Sequence, residues 1–241
     1  MFKIIVTSLF LFTISFSNDK IKLLTEEYPP FQMVVDGELS GISIEIIKEL
    51  QKRVGNSEKI RVFPWNRGYN LTLKKEGYAL FLTTRTTKRE KLFKWVGPIL
   101  DYEVLFFKLK SNKKEYHTLN DVRKAKSIGV VKNDVKEQLL IENNFDNLQY
   151  IISGSIQTNL QKLVNGQIEL WPSGYKSTQY VIKKYKLENI VVATKTHLFT
   201  QASLNIAFNK NTPEHIIKKW QNALDDIKKD EIYTKILNKY K

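Results

Sequence analysis

From Ile21 to Tyr240 the chain alternates short apolar runs with longer stretches whose apolar residues recur every three or four positions. The first pattern predicts strands and the second predicts amphipathic helices, so the alternation constrains the chain to an α/β fold. Residues 21–24, 60–63, 78–82, 102–107, 127–131, 148–152, 168–171, 190–192 and 204–208 read as strands. Gly41 precedes a helix whose apolar positions Ile46, Ile47, Leu50 and Val54 share one face, with a stop near Gly55. Ser155 opens a helix that carries Ile156, Leu160, Leu163 and Val164 on one face and stops at Gly166. Thr212 caps another with Pro213 at its first position, and its face is Ile216, Trp220, Leu224 and Ile227. Prolines punctuate the strands: Pro29 and Pro30 end the first, Pro64 the second, and Pro172 closes the run at 168–171. Polar and aromatic residues collect in the loops after strands, where open α/β sheets place ligand sites. A charged connector at 108–115 introduces a second α/β unit, which the chain leaves near residue 195. This predicts one domain inserted into another, residues 108–195 within 18–107 plus 196–241.

The N-terminus has the pattern of an export signal. Met1-Phe2-Lys3 is a short basic start, residues 4–16 are mostly apolar, and Ser15-Phe16-Ser17 offers small residues for cleavage before Asn18. The expectation is a cleaved signal at 1–17 and a periplasmic location. The absence of cysteine excludes thiol catalysis, cysteine metal sites and an N-terminal lipid anchor on cysteine. The net charge of +14 invites a nucleic-acid reading, but the lysines are scattered over presumed outer helix faces rather than gathered. Nucleic acid is therefore excluded as a partner. No His/Asp/Glu cluster has metal-ligand spacing, so neither a metal nor a cofactor is expected.

One stretch concentrates chemistry. Tyr78 to Leu82 brings a strand to Thr83-Thr84-Arg85-Thr86-Thr87-Lys88-Arg89-Glu90. Thr87 and Glu90 have capping-box spacing, which predicts a helix turn starting at Thr87. Arg89 then lies in the first turn, where a cation is badly placed for the helix and well placed to grip an anion.

Several segments together resemble a known family: Glu27-Tyr28-Pro29-Pro30-Phe31, Gly41-Ile42-Ser43-Ile44-Glu45, Pro64-Trp65-Asn66-Arg67, the run Thr84 through Arg89, Trp95-Val96-Gly97-Pro98 and Leu163-Val164-Asn165-Gly166. In order and spacing they resemble bacterial extracellular solute-binding proteins of family 3, which include the polar amino-acid receptors of ABC transporters. The resemblance implies a type II periplasmic binding protein, two lobes of mixed sheet flanked by helices with the ligand between them. It implies that Arg89 clamps a ligand carboxylate, supported by the Thr84 hydroxyl. It also makes Tyr28 and Trp65 cleft aromatics and brings the helix start at Asp134 over the same carboxylate. Arg67, Arg85 and Trp171 are further candidates. The family's aspartate for an α-ammonium is replaced here by Gly174, with Asp134 and Glu169 the nearest substitutes. The expected function is capture of a small carboxylated solute, an amino acid or related organic acid, by a monomer that delivers it to a membrane permease. The alternatives are a dehydratase-like enzyme on the same fold and a receptor for a sensor. The sequence offers no paired acid–base signature for catalysis.

Overall fold

The computed structural model describes residues 20–151 and 155–240. The expected signal at 1–17 and the last residue of the expected strand at 148–152 lie outside the described residues. The elements are β1 (Lys22–Thr25), β2 (Met33–Val35), β3 (Glu38–Ser40), α1 (Ile42–Val54), β4 (Arg61–Val62), α2 (Trp65–Lys74), β5 (Tyr78–Thr84) and α3 (Thr87–Glu90). They continue with β6 (Phe93–Leu109), α4 (Leu119–Arg123), β7 (Ile128–Val130), α5 (Val135–Glu142), β8 (Leu148–Tyr150) and α6 (Ile156–Val164). The chain closes with β9 (Trp171–Gly174), α7 (Tyr175–Lys184), β10 (Val191–Asn209), α8 (Glu214–Lys229) and α9 (Ile232–Asn238).

Six strands form one sheet in the order β4-β1-β5-β10-β6-β9, parallel across β4, β1 and β5 and antiparallel beyond. The predicted helix faces are the buried ones. Ile46, Ile47, Leu50 and Val54 of α1 pack inward, and Gly55 ends that helix at φ 69°, a left-handed cap that glycine adopts without strain. Ile216, Trp220, Leu224 and Ile227 of α8 do the same against α1 and β6. Two caps move by one residue: Thr86, not Thr87, caps α3, and Pro213, not Thr212, stands at the start of α8.

The apolar core falls into separate bodies. One set of clusters draws on β1, α1, β5 and α8. The other draws on residues 105–191, around Phe107, Leu160, Leu163 and Trp171 in one cluster and Phe106, Val122 and Leu140 in the next. The residues expected as domain boundaries, 107–108 and 195–196, fall inside strands. β6 and β10 run unbroken through both bodies and pair from Val191 with Leu109 to Asn209 with Phe93. Their register slips repeatedly between Ala193 and Ala202, where the ladder bends from one body to the other. Pro172 also departs from expectation. It does not close a strand but lies within β9 opposite Phe106, at the sheet edge, where its missing N–H is not needed.

Glu169 secures the entry to the second body. Its carboxylate accepts bonds from the Tyr116 hydroxyl (2.7 Å), Lys114 Nζ (2.9 Å), Asn112 Nδ2 (3.2 Å) and the Lys126 backbone N–H. Partial burial would raise its pKa, but these donors outweigh that and hold it at about 2, against an ordinary 4.5. A depressed carboxylate adds stability that is present above its unfolded pKa and is lost as pH falls toward the folded value. Glu169→Gln should therefore cost about 1–2 kcal/mol at pH 7, with the gap from wild type narrowing between pH 4.5 and pH 2. Urea unfolding at a series of pH values measures this, and a gap that stays constant on acidification contradicts the assignment.

Candidate functional site

The site grows out of the end of β5. Leu82 sits at φ 57° and is the extra residue of a bulge, since Thr83 pairs with Asn205 and Phe81 with Ile206. Beyond the bulge the ladder runs through Thr83 to Thr84 and gives way to the single turn of α3, where the Thr86 hydroxyl accepts from Arg89 N. Four residues make a negligible dipole, so anion affinity at this turn rests on the Arg89 guanidinium itself.

Arg89 is 1% exposed. Its Nη1 donates to the Thr84 carbonyl (3.1 Å) and its Nη2 to the Asn133 carbonyl (2.7 Å). The guanidinium lies 5.4 Å from the Trp65 ring centroid and 5.3 Å from that of Tyr69, a floor that favours a cation. Nε is buried and has no partner, and Arg89 makes no ion pair among the described residues. A buried, unpaired guanidinium N–H is costly and is rarely left so outside a binding site.

Around Arg89 lies a cavity with about 30 Å3 of free space, room for about two waters. Trp65 and Leu82 give it apolar walls, and Thr84, Tyr28 and Tyr102 line it with hydroxyls. Thr84 Oγ1 and Tyr102 Oη share a bond of 2.7 Å. Asp134, Lys136, Glu26 and Gln32 add charged and polar groups, with Val135 and Leu204 beside them. Asp134 is the N-cap of α5, accepting from Lys136 N, and its carboxylate also meets Lys136 Nζ at 2.8 Å. Burial opposes the Lys136 charge, yet the Asp134 carboxylate more than offsets it and holds the ammonium above the usual lysine range. Burial, reinforced by Asp134 and eased by Lys136, pushes Glu26 up to about 8.

The cavity is made from both bodies of the core. Trp65 Nε1 and Arg89 Nη2 both donate to the Asn133 carbonyl, and Asn133 Nδ2 donates to Asn66 Oδ1 (2.6 Å). Farther out, Lys88 Nζ meets Glu142 at 3.0 Å.

Of the residues singled out from sequence, the structure brings Arg89, Thr84, Tyr28, Trp65 and Asp134 together. Trp171 borders a second, neighbouring cavity with Tyr28 and Asp134, while most of it packs in the core against Phe107. Arg67 and Arg85 point elsewhere. Arg67 follows Trp65 by two positions on α2, which turns it to the outer face over the Phe63 ring. Arg85 follows the inward Thr84 on extended chain, so it points outward and grips both oxygens of Glu90 (2.7 and 2.6 Å). Glu169, a candidate counter-charge, is bound to the connector instead. Gly174 has a different use: its N–H donates to the Tyr28 hydroxyl (3.1 Å), and a Cβ there would lie 2.3 Å from that oxygen. Only a residue without a side chain admits Tyr28 at this point. Glu26, Tyr102 and Lys136 are site residues that sequence reasoning passes over. Lys136 had a usable signal, being a cation in the first turn of a helix, the same anomaly that marks Arg89.

No curated protein matches the chain by sequence. Solved structures do match in fold. An ancestral arginine-binding protein bound to arginine superposes with a TM-score of 0.80 at 21% identity, covering 92% of this chain and 97% of that one. A histidine kinase sensor domain with similarity to periplasmic binding proteins gives 0.81 at 16%, covering 91% and 95%. The ancestral amino-acid-binding protein AncCDT-1, a precursor of cyclohexadienyl dehydratase, gives 0.75 at 20%, covering 92% and 94%. The fold is that of the two-lobed type II periplasmic binding proteins. The model of bacterial extracellular solute-binding proteins, family 3, matches residues 21–241, and the chain belongs to that family.

Proposed function

We propose that this protein captures a small carboxylated solute, an amino acid or related organic acid, between two lobes and delivers it to the permease of an ABC transporter from the periplasm. The lobes are residues 18–107 with 196–241, and the inserted 108–195. The observation that carries the reading is the buried Arg89 guanidinium, with Nε unpartnered and no carboxylate of the chain paired to it among the described residues. A ligand carboxylate supplies what it lacks. The structural neighbour bound to arginine supports an amino-acid-type ligand. Closure supplies selectivity, because Asn133, Asp134 and Lys136 reach the cavity from the second lobe and meet the ligand only when the lobes are together.

A second reading, proton-transfer catalysis, is favoured by one observation: Glu26 stays protonated in the cavity up to about pH 8 and is poised as an acid. The dehydratase precursor among the structural neighbours is consistent with it. Incubation of the bound compound with the protein separates the two, since a carrier returns it unchanged and an enzyme consumes it.

Arg89→Met should weaken ligand binding by at least about 30-fold while leaving circular dichroism unchanged. Unaltered affinity in a folded Arg89→Met protein removes the proposed clamp. Affinity for the carboxylate should also decline as pH rises through about 8, because ionised Glu26 adds a negative charge beside the anion. Glu26→Gln should flatten that decline, and a pH profile identical in both proteins rules out the role given to Glu26.

A further inference from the structure

Beside the Arg89 cavity lies a second one with about 30 Å3 of free space. The two share Glu26, Tyr28, Asp134 and Lys136, so these side chains stand where the cavities adjoin. Past them the lining changes. Asn159, Ser173 and Trp171 enter from the second body of the core, and Glu27 from the chain after β1.

Asn159 is the anomaly in this lining. It lies on the buried face of α6, where Ile156, Leu160 and Leu163 pack into the apolar core. Only 5% of Asn159 is exposed, and its Oδ1 is buried without a donor among the described residues. A buried amide oxygen with no donor destabilises the fold, whereas leucine at this position would continue the apolar face. The chain thus places an acceptor where packing alone calls for an apolar side chain, and it places it at a cavity.

The charges point the same way. Glu26, Glu27 and Asp134 bring three carboxyl groups to this lining, against the single ammonium of Lys136. Lys136 is already engaged by Asp134 at 2.8 Å. A cavity rich in acceptors and negative charge suits an N–H group better than a second carboxylate or an apolar tip. A substituent on the carbon next to a carboxylate held by Arg89 stays in the first cavity. Arg89, Thr84 and Tyr102 border only that one, so a longer molecule is needed to pass Tyr28 and Lys136 and reach Asn159.

Resting on the reading that Arg89 holds a carboxylate, we propose that the second cavity is a distal subsite, where an amide or ammonium at the far end of an elongated carboxylated solute donates to Asn159 Oδ1. Asn159 thus sets both the length of the ligand and the chemistry of its end group.

Calorimetry on protein refolded from denaturant tests this with pairs that differ only in the end group. They are L-glutamine and 2-amino-5-oxohexanoate, L-ornithine and L-norleucine, and 5-aminopentanoate and hexanoate. In at least one pair the N–H compound should bind at least about tenfold tighter than its methyl counterpart. The first pair against the other two shows whether the subsite prefers an amide or an ammonium. Asn159→Leu, which suits the buried face of α6, should weaken the N–H compound about tenfold and leave its counterpart within about twofold. Asn159→Ala should do the same. Equal binding within every pair overturns the proposal, as does an Asn159→Leu protein that loses both members of a pair alike. In either case, loss of binding in Arg89→Met leaves the carboxylate reading standing. Binding that persists undiminished in Arg89→Met overturns both. If no compound of the three pairs binds, the distal subsite is overturned as well.

Discussion

The site depends on a guanidinium that the fold buries without an acidic partner among the described residues. Burial strips Arg89 of water, and the chain returns only part of what is lost: two carbonyl acceptors and two aromatic faces. Each of these has a structural cost elsewhere. The Thr84 carbonyl is turned toward the arginine by the bulge at Leu82, a non-glycine residue in left-handed conformation. The Asn133 carbonyl comes from a residue that is also left-handed, at φ 63°. Two left-handed residues thus flank one cation, and the proposed ligand carboxylate would offset their cost.

The same arginine sits where the two bodies of the core meet. The lobes are joined by two continuous strands whose ladder is irregular where it passes between the cores. Outside those strands, the crossing bonds described here centre on Asn133, which meets Trp65, Asn66 and Arg89, and on Tyr28, which meets Gly174. The Lys88–Glu142 pair is solvent-exposed and contributes at most about 1 kcal/mol. Few bonds therefore oppose opening, and several of them lie against the cavity. Under the proposed function, a ligand that strengthened this group would shift the equilibrium toward closure.

The elements were legible because each core face follows a local period. Ile46, Ile47, Leu50 and Val54 announce α1, and Gly55 its end, without reference to anything distant. Arg89 stands out locally as a cation beside a helix start, although α3 is too short for the dipole which that reading invokes. What stayed hidden depends on pairing. Nothing local shows that β6 continues past Gly97-Pro98 or that β10 spans both lobes, since that continuity exists only in the ladder between them. Arg67 and Arg85 look equivalent to Arg89 in sequence. Their orientation follows from helix phase in one case and strand alternation in the other.

Gly174 shows how far a single position can mislead. Taken alone, a missing aspartate suggests a weakened site. In the structure the missing side chain admits the Tyr28 hydroxyl, whose ring stacks on Phe31. An acid restored at 174 would have to displace that ring. Beside β9 the cavity presents a neutral hydroxyl, that of Tyr28. Lys136, arriving from α5, adds a positive charge that Asp134 holds in place.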